Sequence, residues 1–196
     1  MKLTPKINKS IQVAASTHLG QVRKGDDTPY ITHPFAVAWI VAQFTKNEDI
    51  VCAALLHDVL EDVPEEVYSK TQMINDFGSK VVEIVEGVSE DKDASISKED
   101  EKLTWKDRKK KYLTNLINDS EGSLLVCAAD KIHNMQSTID AFNIKGEKIW
   151  EVFNSSKENK LWFYQEVIKI IAKKLTNPIV SELETVLDKY QEIITQ

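Results

Sequence analysis

A histidine and an aspartate interrupt an apolar stretch of the chain. His57 and Asp58 stand inside the run AALLHDVLED, and two more carboxylates, Glu61 and Asp62, follow four residues after them. Because an unpaired charge is costly to bury, charged residues in an apolar helix need a specific reason. Neutral imidazole and carboxylate together form a ligand set for a divalent metal such as Mn²⁺, Fe²⁺ or Zn²⁺. The pair therefore indicates part of a metal site.

Two residues elsewhere in the chain can complete such a ligand set. One directly precedes Pro34 at the start of a predicted helix, and the other ends the apolar run LLVCAAD. The full set is then His33, His57, Asp58 and Asp130. An ion held there can activate water and hold a phosphoryl oxygen, and it supplies local positive charge. For an isolated His-Asp pair, however, a core histidine bonded to its neighbour is the commoner explanation.

Three sequence stretches occur together in a specific order: GQVRKGDDTPYITHP, AALLHDVLED and VCAADKIHNM. They closely resemble the HD-superfamily hydrolase domain of the RelA/SpoT family, in particular its stand-alone small alarmone hydrolases of the metazoan SpoT homologue type. The resemblance covers roughly residues 7–175. It implies a divalent metal, most often Mn²⁺, held by the same four residues: His33, His57, Asp58 and Asp130.

The resemblance also implies roles for residues beside the ligands. Glu61 and Asp62 match the catalytic Glu-Asp pair, and such carboxylates can hold or deprotonate a water. Arg23 and Lys24 match the motif that holds the guanine end and its phosphates, and Asn134 matches a residue that contacts the sugar. The alternatives are a solvated helix end for the carboxylates and an exposed basic dipeptide for Arg23 and Lys24.

Two other histidines and a basic run near these motifs are expected to be structural. His133 is interpreted as a packed helix histidine, with a role as partner of a metal ligand as the alternative. His18 is expected to make a hydrogen bond near the first loop. The basic run from Trp105 to Lys111 could attract a second pyrophosphate, although a solvated helix face is the favoured interpretation.

The function implied by the resemblance is metal-dependent hydrolysis of a nucleotide. The 3′-pyrophosphate of guanosine tetra- or pentaphosphate would be released, leaving GDP or GTP. One alternative keeps the site and changes the substrate to a nucleoside monophosphate or to the 2′-phosphate of NADPH. Another is a nucleotide-sensing protein without turnover.

The elements that must position these residues are predicted to be helices. Six Gly and five Pro punctuate the chain, and most apolar runs have helical spacing, which predicts an all-α, single compact HD-type domain of about 8–10 helices. We assign 1–176 to the phosphohydrolase domain and 177–196 to an amphipathic helix packed on it or on a partner subunit. The predicted helices are 7–19, 34–44, 48–62, a shorter one in 64–77, 78–88, 105–117, 123–135, 154–175 and 178–194.

Charge and cysteine usage narrow the classes of partner. The 196 residues carry 25 Lys+Arg against 31 Asp+Glu, a formal net charge of −6, which disfavours nucleic acid and anionic membranes as partners. Cys52 and Cys127 lie in apolar runs, and no stretch has the length of a signal peptide or a membrane span. We therefore expect a cytoplasmic protein that binds a small nucleotide, either alone or as a homo-oligomer.

Overall fold

The computed structural model describes residues 1–23, 27–90 and 98–195, and these fold into helices joined by short connections. No β-strand occurs in those ranges, only an isolated bridge between Val22 and Pro29. The all-α prediction is therefore confirmed. The helices are α1 (Pro5–Thr17), α2 (Thr32–Phe44), α3 (Glu48–Leu56), α4 (Val59–Asp62), α5 (Lys70–Phe77), α6 (Ser79–Val88), α7 (Lys98–Leu116), α8 (Glu121–Lys145), α9 (Lys157–Lys174) and α10 (Ile179–Ile194), with a 3₁₀ helix over Gly146–Val152.

Helix α8 is the centre of the molecule. It packs against α2, α3, α6, α9 and α10, and its first half is buried from Gly122 to Asp130. Ser120 begins the helix, because its hydroxyl accepts a hydrogen bond from the backbone N–H of Ser123. The predicted buried central helix over 123–135 is confirmed, and it continues ten residues further, to Lys145. Helix α8 therefore carries Asp130 out of the core toward the site.

The predicted continuous helix over 48–62 is wrong, because the chain turns at the His-Asp pair. Helix α3 ends at Leu56 and α4 begins at Val59, while Asp58 has φ −94° and ψ −6°. These angles are close to helical values. Apolar residues are buried on both sides of the turn, and Leu56 and Val59 are fully buried. The interruption therefore leaves no signal in the periodicity. It places two site residues at a turn rather than along a helix face.

The described residues between α1 and α2, 18–23 and 27–31, are joined to each other by backbone hydrogen bonds. The Arg23 N–H donates to the carbonyl of Thr28 at 2.8 Å, and the Tyr30 N–H donates to the carbonyl of Gln21 at 2.9 Å. His18, at the end of α1, places Nδ1 2.8 Å from Oε1 of Gln21. The expected hydrogen bond of His18 near this loop is thus confirmed. From this loop the side chain of Arg23 reaches Asn134 on α8, and that of Tyr30 reaches Asp58 and Asp62.

The C-terminal helix covers the far side of the core. Its apolar stripe is buried against α8 and α9, and it consists of Ile179, Leu183, Val186, Tyr190 and Ile193. Burying each such side chain contributes about 1.5–3 kcal/mol, so the stripe anchors the helix to this chain. The division into 1–176 and 177–196 stays a prediction. Within the described ranges, no helix is both long enough and apolar enough to cross a membrane.

Candidate metal centre and the adjoining cavity

His57 is oriented by the end of the helix that precedes it. Its Nδ1 lies 2.9 Å from the carbonyl oxygen of Ala54, which can only accept, so Nδ1 carries the hydrogen. In the neutral ring, Nε2 then presents a lone pair. That nitrogen lies 3.1 Å from Oδ2 of Asp58, the next residue along the turn. The turn therefore directs both side chains of the His-Asp pair to one point.

His33 reaches the same point from the first turn of α2. Its Nε2 lies 3.2 Å from Nε2 of His57 and 3.6 Å from Oδ2 of Asp58. Its other nitrogen, Nδ1, lies 2.8 Å from Nδ1 of His133 on α8. Metal-binding histidines usually hold their second nitrogen in a hydrogen bond of this kind. The alternative interpretation of His133, as partner of a ligand, is the one that agrees with this contact.

Asp130 closes the cluster from α8. Its Oδ1 lies 3.1 Å from Nε2 of His33 and 3.9 Å from Nε2 of His57. The Asp58 carboxylate and the two imidazole nitrogens lie within 4.8 Å of one another, and Asp130 lies beside this group in contact with both rings. Nitrogen and oxygen donors of this kind fit a divalent metal. The structure therefore brings together all four residues predicted as metal ligands.

The electrostatics of the cluster also favour positive charge. Burial alone would lower the pKa of His57, but the carboxylate of Asp58 outweighs it and raises that pKa to about 9. Burial likewise opposes ionisation of Asp58, yet the neighbouring His57 holds its pKa below the ordinary range. Burial lowers the pKa of His33. A proton on His57 therefore offsets part of the negative charge of the carboxylates. A bound cation would offset the same charge with both imidazole rings neutral.

Asp130 is bound by donors on its own helix. The amide of Asn134, one turn later, donates to Oδ1, and Nζ of Lys131 lies 2.5 Å from Oδ2. Lys131 lies over the rings of Tyr112 and Phe163, 5.4 and 5.6 Å from their centroids. Burial raises the pKa of a carboxyl group, but Lys131 overcomes this effect and holds the pKa of Asp130 well below its usual value. Asp130 is therefore a fixed anion.

A cavity of about 410 Å³ opens beside this cluster. Arg23 lies on its wall, where Nη2 donates to Oδ1 of Asn134 at 3.1 Å and the guanidinium lies 5.9 Å from the centroid of the Tyr30 ring. The predicted partner of Arg23, Lys24, lies outside the described residues. Other lining residues combine carboxylate, ammonium and aromatic groups: Tyr30, Asp62, Trp105, Lys109, Lys131, Phe153, Phe163 and Tyr164. The cavity has the size and mixed lining of a small-molecule site.

The two predicted catalytic carboxylates face different surroundings. Asp62 lines the cavity, and its Oδ2 lies 3.4 Å from the hydroxyl of Tyr30. Glu61 lines a separate groove of about 480 Å³, and its Oε2 accepts a hydrogen bond of 2.8 Å from the backbone N–H of Glu90. The structure therefore brings Asp62 to the cavity and directs Glu61 toward the end of α6.

Glu90 links that groove to the basic face of α7. Its carboxylate pairs with Arg108 and with Lys109, and Lys109 also lies 4.8 Å from the centroid of the Phe163 ring. Burial lowers the pKa of Lys109, although Glu90 opposes the effect. Lys110 and Lys111 are exposed. The basic run is thus solvated on one side only, since Lys109 reaches the cavity wall.

Sequence reasoning missed the contribution of Tyr30. Its hydroxyl donates to Oδ2 of Asp58 at 2.5 Å. Burial and the nearby Asp58 raise the pKa of Tyr30 far above its ordinary value, so the group remains a donor. The only signal in the sequence is its position three residues before His33, in a loop where a tyrosine is unremarkable.

Comparison with known proteins agrees with this architecture. The family model described as HD domain matches residues 10–155. The chain is 39% identical over 126 residues to the guanosine-3′,5′-bis(diphosphate) 3′-pyrophosphohydrolase of Haemophilus influenzae, covering 64% of this chain and 17% of that protein. It is 37% identical over 132 residues to the bifunctional (p)ppGpp synthase/hydrolase SpoT of Escherichia coli K12, covering 67% of this chain and 18% of that protein. The chain thus spans less than a fifth of the length of these relatives.

Two solved structures share the fold over most of the chain. One belongs to a metazoan ortholog of SpoT that hydrolyzes ppGpp; it has a TM-score of 0.74, is 24% identical and covers 99% of both chains. The other, from Listeria monocytogenes EGD-e, has a TM-score of 0.68, is 23% identical and covers 84% of this chain and 99% of that one. The predicted resemblance to RelA/SpoT-family hydrolase domains is confirmed.

Proposed function

The chain belongs to the HD domain family, and we propose that it is a metal-dependent hydrolase that releases the 3′-pyrophosphate of guanosine tetra- or pentaphosphate. The observation that carries the proposal is the cavity of about 410 Å³, which brings Asp62 together with the cationic groups of Arg23, Lys109 and Lys131. Two other lining residues, Tyr30 and Asn134, contact the donor cluster through Asp58 and Asp130. The relatives in Haemophilus influenzae and Escherichia coli, which are named as (p)ppGpp hydrolases, support the same reaction and substrate.

The residues that would hold the ion are the four convergent donors: His33, His57, Asp58 and Asp130. When bound, a divalent cation, by our proposal Mn²⁺, supplies Lewis-acid chemistry that withdraws charge from a phosphoryl group and acidifies water. The contacts of His33 with His133 and of His57 with Ala54 keep the two rings turned inward.

The nucleotide would be bound by groups along the cavity wall. The planar guanidinium of Arg23 can stack on a purine, and it is already oriented by Asn134. Asn134 would contact the sugar, as its place between Arg23 and Asp130 allows. Lys109 and Lys131 provide the charge that a polyphosphate requires, and Lys24 would add to it.

The proton of the attacking water would pass to a carboxylate. Asp62 is the residue that we assign to this step, since it lines the cavity one turn after Asp58. Glu61, the other member of the pair, would act by holding the backbone at Glu90. The water oxygen would form a bond to the phosphorus attached to the ribose 3′ oxygen, and the bond between that phosphorus and the 3′ oxygen would break. Pyrophosphate is then released and the 3′ oxygen takes up a proton.

A substrate panel on one preparation tests this proposal. The chain, loaded with Mn²⁺, is incubated with guanosine 3′,5′-bis(diphosphate), NADPH and GMP, and products are separated by ion exchange. We expect pyrophosphate and GDP from the first substrate, and loss of nearly all release in the His57→Ala/Asp58→Ala variant. Equal release by that variant would reject the proposal. Preference for GMP or NADPH, unaffected by Arg23→Ala, would reassign the substrate.

A further inference from the structure

The hydroxyl of Tyr30 lies between two carboxylates that have different roles in the proposed function. It is 2.5 Å from Oδ2 of Asp58 and 3.4 Å from Oδ2 of Asp62. We propose that Tyr30 is a positioning residue, which orients Asp58 as a metal ligand and fixes its separation from Asp62. This inference rests on the proposed function for the role of Asp62, whereas the part that concerns Asp58 depends only on metal binding.

The Tyr30 ring is held on several sides, so its hydroxyl has little freedom to turn away. The ring of His18 lies 5.0 Å from it between centroids, and His33 meets it edge-on at 5.9 Å. The Arg23 guanidinium lies 5.9 Å from the ring centroid, and the backbone N–H of Tyr30 is bonded to Gln21. The ring therefore connects three parts of the chain: Arg23 and Gln21 in the segment after α1, the start of α2, and the turn at Asp58.

The unequal distances define what the hydroxyl can do. A phenol has one hydrogen to donate, and the shorter contact assigns it to Asp58. The oxygen that accepts it, Oδ2, is the one that also lies 3.1 Å from His57 and 3.6 Å from His33. Donors to a ligand carboxylate fix its orientation, and their removal commonly costs about 10–100-fold in metal affinity or activity. Asp62 is left with the longer contact and can approach a water.

A phenylalanine at position 30 keeps the ring and removes only the donor. For Tyr30→Phe we expect the Kd for Mn²⁺, measured without nucleotide by electron paramagnetic resonance of the free ion, to rise about 10-fold or more. At saturating Mn²⁺, kcat for pyrophosphate release should fall about 10-fold, while the KM for the nucleotide changes less than about 3-fold. A role confined to holding the loop would instead raise KM.

A matched control exists in the same chain. Tyr68, which is buried, donates to Oδ2 of Asp76 on α5 at 2.8 Å, and Asp76 also accepts from Lys9 on α1. Tyr68→Phe therefore removes an equivalent tyrosine–aspartate bond away from the cluster. We expect this variant to leave both the Mn²⁺ Kd and kcat unchanged. Unchanged values for Tyr30→Phe, or equal changes in both variants accompanied by equal losses of Tm, would overturn the proposal.

The two readouts separate this inference from the proposed function. If the wild-type chain binds Mn²⁺ but releases no pyrophosphate, the proposed function fails, and the Kd of Tyr30→Phe still decides whether Tyr30 orients Asp58. If the wild-type chain is active and Tyr30→Phe matches it in both Kd and kcat, only the inference about Tyr30 fails.

Discussion

Glu61 and Asp62 are neighbours in the chain but belong to different regions of the molecule. Asp62 faces a cavity together with Tyr30, whose hydroxyl contacts Asp58 of the candidate metal centre. Glu61 instead faces a groove and accepts the backbone N–H of Glu90. Successive residues of a helix point about 100° apart, so adjacent side chains cannot share one environment unless the site lies between them. A pair of carboxylates in a motif is therefore not evidence of a shared task.

The two regions also balance their charges differently. Around Asp62, the anions Asp58 and Asp130 face histidines and Lys131, as expected where a cation is to be bound. Around Glu61, the bonded backbone N–H belongs to Glu90, whose own carboxylate is paired with Arg108 and Lys109. The first region has donors directed to one point, and the second has its charges paired within the protein. Variants of the residues in each region should therefore change different properties.

The largest effect is expected on the cavity side. Asp62→Asn keeps the size of the side chain but removes its ability to take a proton, which should lower kcat by about 10²–10⁴-fold. The Kd for Mn²⁺ should change little, since Asp62 is not among the convergent donors. Steady-state pyrophosphate release and metal binding measure the two quantities. A loss of metal affinity as large as the loss of kcat would assign Asp62 to the metal instead.

An intermediate effect, on stability, is expected at Glu90. Glu90→Gln leaves Lys109 and Arg108, whose side chains are 18% and 16% exposed, without their carboxylate and should lower the free energy of unfolding by about 1–3 kcal/mol. Urea unfolding at neutral pH measures this loss. Glu86→Gln, which removes the carboxylate of an exposed pair with Lys70, is the control and should cost much less.

The pH dependence of that difference tests its cause. Burial raises the pKa of a carboxyl group, but Lys109 outweighs burial and holds the pKa of Glu90 below its ordinary value of 4.5. The stabilisation is therefore complete above pH 4.5 and is lost as the pH falls toward the lowered pKa. The difference between wild type and Glu90→Gln should shrink below pH 4.5. A constant difference would point to packing rather than charge.

The smallest effect is expected at Glu61. In Glu61→Gln the amide oxygen can still accept the N–H of Glu90, so only the charge is lost, at a cost of about 1 kcal/mol or roughly fivefold in kcat. The same pyrophosphate assay measures it beside Asp62→Asn. If both variants lost activity equally, the original prediction of two catalytic carboxylates would stand and the contrast between the two regions would not.

The four residues predicted as metal ligands could be singled out because three of them are out of place in the sequence and the family resemblance selects the same four. His57, Asp58 and Asp130 interrupt apolar runs. Burying such groups is costly unless each has a partner that offsets the loss of hydration. The helical fold followed from spacing for the same reason, since apolar periodicity directly reflects which face is buried.

The remaining features depend on tertiary structure. The break between α3 and α4 has backbone angles near those of a helix, and the bond from Tyr30 to Asp58 joins residues that lie 28 positions apart. The separation of Glu61 from Asp62 involves a hydrogen bond from the backbone of Glu90 to Glu61, which joins residues 29 positions apart. None of these features changes the residue types or their period, so pattern analysis has nothing to detect.

Helix α8 determines how long the site persists in solution. Asp130, Lys131, His133 and Asn134 all stand on this one helix, whose preceding residues are the most buried of the core. Amides in such a segment exchange their hydrogens mainly when the whole domain unfolds. We therefore expect the amides around Asp130 to exchange with the slowest rates in the chain. The residues that α8 contributes to the candidate metal centre should then stay in place until the whole domain unfolds.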